Sequence, residues 1–176
     1  MRTIILVPVM YSEADLKELL GAVPPDFADE SKQFWNYVQA KLAVMSGRVS
    51  MVCLLWNEGT VDPRASAVAE SLNKDQRIRR LADSTLVGEV RAWYNMSREE
   101  GDEGSGELCE ECNRELSRIL GEILGTLADS EVAVVFADPA CRLVLADDFR
   151  VIRMTPFDPH DYVQRHRVHL RLTGKV

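Results

Sequence analysis

Several signatures that would point directly to a function are missing from this chain of 176 residues. It contains no glycine-rich phosphate-binding loop, no dinucleotide-binding fingerprint and no G-x-S-x-G sequence, which excludes the common motifs of nucleotide-binding proteins and serine hydrolases. No window approaches the roughly 20 apolar residues of a membrane-spanning helix. The first ten residues lack the pattern of a secretory leader. We therefore expect a cytoplasmic protein with no membrane partner.

Cysteine and histidine are also scarce, with four and three residues respectively. In a reducing cytoplasm, four cysteines indicate core residues, metal ligands or a nucleophile rather than disulfides. Cys109 and Cys112 stand close together in GELCEECNREL, but a structural zinc site needs four ligands and no second close Cys/His pair completes one. Cys112 falls in the apolar stripe of a predicted helix. We therefore predict that it is buried among Leu108, Leu116 and Ile119.

The charge balance excludes one broad class of partner. Asp and Glu number 28 against 21 Lys and Arg, a net charge of -7, whereas affinity for nucleic acids comes mostly from neutralising phosphates. We therefore expect no nucleic-acid partner. Apolar residues make up 46% of the chain and charged residues 28%, the composition of an ordinary globular domain. At this length, residues 1–176 are most simply one domain.

Three apolar runs have the length and the branched side chains of buried strands. They are TIILVPVM (3–10), RVSMVCLLW (48–56) and EVAVVFAD (131–138). Segments with helical spacing of apolar residues separate them. This alternation predicts an α/β domain whose mostly parallel sheet is flanked by helices.

Two further segments complete the predicted organisation. Residues 97–107 are acidic and rich in glycine, which favours a mobile loop. In RVHLRL (167–172), apolar and polar residues alternate with the period of a half-exposed strand. We interpret it as a C-terminal edge strand, whose unpaired backbone groups would join a second copy in a homo-oligomer.

The strand ends are where a site is expected, because ligands of open α/β sheets bind outside the carboxyl ends of the strands. Glu13, Glu58 and Asp138 follow the three predicted strands, and three converging carboxylates would bind a divalent cation or a small polar ligand. Such carboxylates repel, so an arginine (Arg114, or one from 77–80) or a cation is expected beside them. The alternative is that Asp138 and Asp15 only cap a helix or turn the chain. The predicted ligand-binding residues are Tyr11, Glu13, Asn57, Glu58, Asp138 and Cys141.

The sequence around the first of these strand ends resembles that of a known group of proteins. IILVPVMYSEAD (4–15) resembles the opening of uncharacterised archaeal proteins whose first strand ends in P-V-I-H-T-E-A-D, and those are distantly similar to the TraB/ChaN-like superfamily of metal-dependent peptidases and haem-binding proteins. VVFADPACRLV (134–144) takes the place of the family's last motif. Tyr11 and Cys141 stand where that family has histidines, whereas Glu13 is kept. The resemblance therefore implies a hydrolase-like fold with a degenerate active site.

Three functional hypotheses remain, and the sequence leaves open whether the protein is an enzyme. The first is a non-catalytic ligand-binding or regulatory domain related to that family. The second is a hydrolase that uses a carboxylate-bound divalent cation or Cys141 as nucleophile, which requires a base within hydrogen-bond reach. The third is a structural subunit of an assembly.

Overall fold

A parallel sheet with helices on both faces organises the part of the chain that this computed structural model describes, which is residues 1–56, 62–72, 78–80, 84–99 and 103–172. The strands are β1 (Arg2–Pro8), β2 (Val49–Leu55), β3 (Ile78–Arg80), β4 (Val132–Ala137) and β5 (Phe149–Arg153). The helices are α1 (Glu13–Leu20), α2 (Phe27–Ala43), α3 (Pro63–Ser71), α4 (Ser84–Glu99), α5 (Glu103–Leu124) and α6 (Pro159–Leu172), with a 3₁₀ turn at Ser46–Arg48. The strand order is β3-β2-β4-β1-β5, and each of these pairings is parallel. The predicted α/β fold is confirmed.

The three apolar runs form the central strands because each of them contributes side chains to two cores. Ile5 of β1 and Val134 of β4 are register partners, and both are fully buried in the core on the α1, α2, α3 and α6 face. Ile4 and its partner Ala133 are buried in the opposite core, beneath α4 and α5. Successive side chains of a strand point to opposite faces, so a continuous apolar run is what a sheet covered on both sides requires.

Local signals in the sequence begin and end the helices near the sheet. Ser12 caps α1 through a capping box in which its hydroxyl accepts from the Asp15 N–H and the Asp15 carboxylate accepts from the Ser12 N–H. The helix ends at Gly21, whose φ of 76° lies in the left-handed region that glycine adopts without strain. Asp62 caps α3, and Pro63 occupies its first turn.

The connection from β4 to β5 lacks the helix that usually joins parallel strands. Residues 138–148, here called the connector, form only turns and irregular chain. The connector lies beside α5, where the Asn113 side chain accepts from the Arg142 N–H (2.7 Å) and the Ser117 hydroxyl accepts from the Val144 N–H (3.1 Å). A non-helical connector leaves part of this sheet face without a covering helix.

The predicted C-terminal edge strand is wrong, because residues 167–172 belong to α6. The helix starts where the Asp158 carboxylate accepts from the His160 N–H at 2.9 Å, with Pro159 as its first residue. The side chains of Tyr162 and Val163, in its first turns, are buried in the core. An alternation of six residues is too short to outweigh this start signal. The strand that was expected to pair with a second copy is therefore absent at that position.

The prediction of a loop at 97–107 is also wrong for most of that segment. Helix α4 continues to Glu99 and α5 begins at Glu103, so only residues 100–102 of that segment lie outside the described residues. Within this segment, Ser105 of α5 is buried. In addition, no helix of the described ranges is long and apolar enough to cross a membrane.

The buried cysteine of α5 is Cys109 rather than Cys112. Cys109 is 7% exposed in the core, whereas Cys112 is only partly buried and Leu108 is 40% exposed. The prediction for Cys112 was wrong because the buried face of α5 is turned by one residue, about 100° around the helix axis. The buried residues of α5 are Ser105, Cys109, Asn113, Leu116, Ser117, Leu120 and Leu124.

Candidate functional site

A buried charge cluster occupies the carboxyl edge of the sheet. Arg91 of α4 lies between two carboxylates, with Nη2 3.1 Å from Asp15 Oδ2 and Nη1 3.4 Å from Asp138 Oδ2. The side chain of Asp138 is 1% exposed, and those of Asp15 and Arg91 are 11% and 12% exposed. The guanidinium also lies over the ring of buried Tyr11, with Cζ 5.4 Å from the ring centroid. Arg91, which the sequence did not predict for this role, therefore compensates these carboxylates, while the arginine side chains of the predicted set in 77–80 lie outside the described part of the chain.

Separate elements bring the two carboxylates to this edge. Asp15 is held in the capping box of α1, where its Oδ2 accepts from the Ser12 N–H (3.0 Å) and hydroxyl (2.8 Å). Asp138 directly follows β4, its N–H donates to the Leu55 carbonyl, and its Oδ1 accepts from the Ala140 N–H at 3.0 Å. Asp138 Oδ2 makes no hydrogen bond within the described residues, so the charge of Arg91 is what compensates it there.

Burial controls the protonation of this cluster. It raises the pKa of Asp138, although Arg91 and the Ala140 N–H act to lower it. Burial also acts to lower the pKa of Arg91, but the combined attraction of Asp138, Asp15 and Tyr11 outweighs it and raises that pKa. Arg91 therefore stays charged and forms a buried ion-pair cluster with Asp15 and Asp138.

The predicted carboxylate triad comes together only in part. Asp138 lies at the centre of the cluster, but Glu13 is exposed on α1 and Asp15, two residues later, interacts with Arg91 instead. Asn57 and Glu58 lie outside the described residues. Among the residues that are described, no group of three His, Cys, Asp or Glu side chains is placed to hold a metal ion.

Cys141 lies close to this cluster, since its backbone N–H donates to the Asp138 carbonyl at 2.9 Å. Burial raises the pKa of its thiol well above the usual value, and the Asp138 carboxylate raises it further. The two histidine rings that the structure describes have other neighbours: His160 contacts Tyr94, and His166 approaches Asp26. The thiol of Cys141 is therefore protonated at neutral pH, the opposite of an activated nucleophile.

A groove of about 1190 Å³ runs along α5 and has a different character at each end. Near the carboxyl edge its walls are polar and aromatic, formed by Tyr94, Ser97, Asn113, Arg114, Arg142 and His160. Towards the other end the lining combines small and apolar residues with charged ones, namely Gly121, Gly125, Val144, Leu145, Ala146 and Phe149 beside Arg2, Arg118, Glu122 and Asp148. Ligand sites typically have volumes of roughly 300–1,000 Å³, so the groove is large enough for a small organic molecule.

Small residues on α5 and the missing crossover helix together make this groove. Ser117 and Asn113 hold the connector against the helix by accepting its N–H groups. An added Cβ at Gly106 or Gly121 would meet no atom within 4 Å, so both glycines face open space. The groove therefore depends on where the connector lies, which is a tertiary feature.

The sequence prediction missed the residues that define both features. Arg91 carries no local signal, because an arginine on a helix is ordinarily solvated. Asn113 and Ser117 did leave a weak signal, since polar residues four apart interrupt an otherwise apolar helical face. They are both buried and hydrogen-bonded to the connector.

Comparisons with known protein families, with curated proteins and with solved structures found no match to this chain. The resemblance to the TraB/ChaN-like superfamily therefore stays a prediction.

Proposed function

We propose that this protein is a non-catalytic ligand-binding domain whose small-molecule ligand occupies the groove along α5. The observation that carries the proposal is the groove itself, about 1190 Å³ in volume and lined by apolar as well as polar and charged residues. Concave sites with apolar walls and a few polar groups are the usual binding sites for small molecules.

The charge cluster supports the non-catalytic part of the proposal. A carboxylate site that binds a divalent cation needs accessible oxygens, but Arg91 occupies the space between Asp15 and Asp138. Cys141 has a raised pKa, which disfavours the thiolate that a nucleophile needs. In this proposal the chain is a relative of the TraB/ChaN-like proteins in which Tyr11 and Cys141 have replaced the histidines.

The cysteines support the expected compartment. Cys53, Cys109, Cys112 and Cys141 are all free thiols, as in proteins of the reducing cytoplasm. We propose that the protein acts there.

The groove is tested with Nile red, a neutral apolar dye whose fluorescence rises on binding. Wild-type protein should bind the dye saturably, and Gly121→Trp should weaken binding about tenfold or more by filling the groove. Because an added Cβ at Gly121 meets nothing within 4 Å, this variant should keep its melting temperature.

Gly47→Trp is the matched control, since Gly47 has the same open surroundings but lies in the 3₁₀ turn, away from the groove. It should bind Nile red like the wild type. Equal dye affinity in a folded Gly121→Trp protein and in the wild type would refute the groove as a binding site.

A further inference from the structure

The charged side chains around the groove are unevenly compensated. At the end near Gly125 and Phe149, Arg2 pairs with Asp148, with Nη1 3.0 Å from Oδ2. Arg118, further along α5, pairs with both Glu115 and Glu122. These arginines already have carboxylate partners from the protein, so they contribute little net attraction for a ligand.

Two arginines at the polar end have no such compensation. Arg114 and Arg142 form no ion pair within the described part of the chain, and both line the groove. Asn113 precedes Arg114 in α5, and its Oδ1 accepts from the backbone N–H of Arg142 at 2.7 Å, which holds the Arg142 backbone beside the helix. One carboxylate, Glu110, also lines this end. Among the described residues that line this end, two cations therefore face one anion, in a protein whose net charge is -7.

The rings of Tyr94 and His160 form an aromatic wall beside these arginines. The Arg142 guanidinium lies over the Tyr94 ring, with Cζ 6.0 Å from the centroid. The Tyr94 hydroxyl is 2.8 Å from Nδ1 of His160, and the two rings meet edge to face at 5.5 Å. The stacking holds the guanidinium at the groove wall, where its N–H groups can donate to an anionic group in a planar fork.

We propose that the groove binds a small organic anion. Its carboxylate, sulfonate or phosphate group is bound by Arg114 and Arg142, and its apolar body lies along α5 towards Leu145 and Phe149. This inference deepens the proposed function and rests on it. The unequal ends of the groove select the orientation, since the cations that lack carboxylate partners are confined to one end.

The probe is 1-anilinonaphthalene-8-sulfonate, a fluorescent anion with an apolar body, titrated beside neutral Nile red. Arg114→Gln and Arg142→Gln should each weaken binding of the anionic dye roughly tenfold, because each removes a charge-assisted hydrogen-bond donor. Nile red affinity should stay within about twofold of the wild type. Added salt should weaken binding of the anionic dye more than binding of the neutral one, because salt screens the charges of the arginines.

Arg150→Gln is the matched control. Arg150 is exposed on β5 and does not line the groove, so its replacement makes the same change in net charge elsewhere. It should leave the affinity for both dyes unchanged, and the melting temperature of each variant confirms that the fold is retained.

The outcomes separate the two proposals. If Gly121→Trp blocks Nile red but the two groove arginine variants bind the anionic dye like the wild type, the groove binds ligands and the preference for anions is refuted. If Arg150→Gln weakens binding of the anionic dye as much as Arg114→Gln and Arg142→Gln do, the loss of affinity comes from the change in net charge, and the anion site is also refuted. If Gly121→Trp blocks neither dye, both proposals fail.

Discussion

Replacing Arg91 by methionine should destabilise the protein by about 3 kcal/mol at neutral pH. Methionine keeps much of the aliphatic length of the side chain but removes the charge between Asp15 and Asp138. Removing one partner of a buried ion pair typically costs about 3–5 kcal/mol, because it leaves an uncompensated buried charge.

The structure places this variant at the lower end of that range. Asp15 keeps its two hydrogen bonds from Ser12, so its carboxylate stays partly compensated. Asp138 keeps only the bond from the Ala140 N–H on Oδ1, and its Oδ2 loses Arg91. One carboxylate, with a side chain that is 1% exposed, therefore accounts for most of the destabilisation.

The pH dependence follows from the raised pKa of Asp138 in the folded state. A carboxyl group whose folded pKa exceeds its unfolded value of about 3.9 favours folding most when it is protonated. Its contribution is complete below the unfolded pKa and is lost as pH rises through the folded pKa. Without Arg91 the folded pKa should rise further. The destabilisation of Arg91→Met should therefore be smaller at mildly acidic pH than at pH values of about 8.

Urea unfolding followed by circular dichroism measures these free energies for Arg91→Met, Asp138→Asn and the double variant. The double variant should be more stable than the sum of the single changes predicts, since Asp138→Asn removes the charge that Arg91→Met leaves uncompensated. Additive single effects, or a cost for Arg91→Met below about 1 kcal/mol, would show that this cluster is solvated rather than a closed ion pair.

Two further predictions concern the cysteines. Cys109→Ala should destabilise the protein by about 1–2 kcal/mol by opening a small cavity in the core. Cys112→Ala should destabilise it less, because the Cys112 side chain is only partly buried. Urea midpoints in the reverse order would mean that α5 buries the face that carries Cys112. Iodoacetamide should alkylate Cys141 slowly at pH values of about 7–8, with a rate still rising above about pH 9, because its raised pKa keeps the thiol protonated. Peptide mass spectrometry measures that rate, and rapid alkylation near neutral pH would instead favour the hydrolase with a Cys141 nucleophile.

The parallel sheet was predictable from the sequence because its determinants are local. Each central strand is a continuous apolar run, as Thr3–Met10 shows, and a strand buried on both faces needs no information from the rest of the chain to be recognised. The same holds for the start of α1 at Ser12 and of α3 at Asp62, where capping residues act on the backbone a few positions away.

Short periodic patterns of apolar residues predicted the structure less well. They gave a wrong element at 167–172 and a wrong buried face for α5. Six alternating residues at 167–172 fit a strand, but the helix that began at Pro159 simply continued through them. In α5 the apolar stripe established a helix but not its rotation, since Cys112 lies within that stripe and Cys109 beside its edge. Packing against α4 decided which of them is buried, as the 3.7 Å contact of the Cys109 sulfur with the Val90 carbonyl illustrates.

The sequence by itself determined the fold class and the edge of the sheet at which charged residues collect, because strand ends are local features and parallel strands share one carboxyl edge. Only the tertiary structure decided that Asp15 rather than Glu13 faces inward, that Arg91 joins it to Asp138, and that the connector leaves a groove beside α5. The physical reason is that ion pairing and cavity shape depend on distances between residues far apart in the chain. Such distances are set by the packing of whole elements, and no local pattern of side chains encodes them.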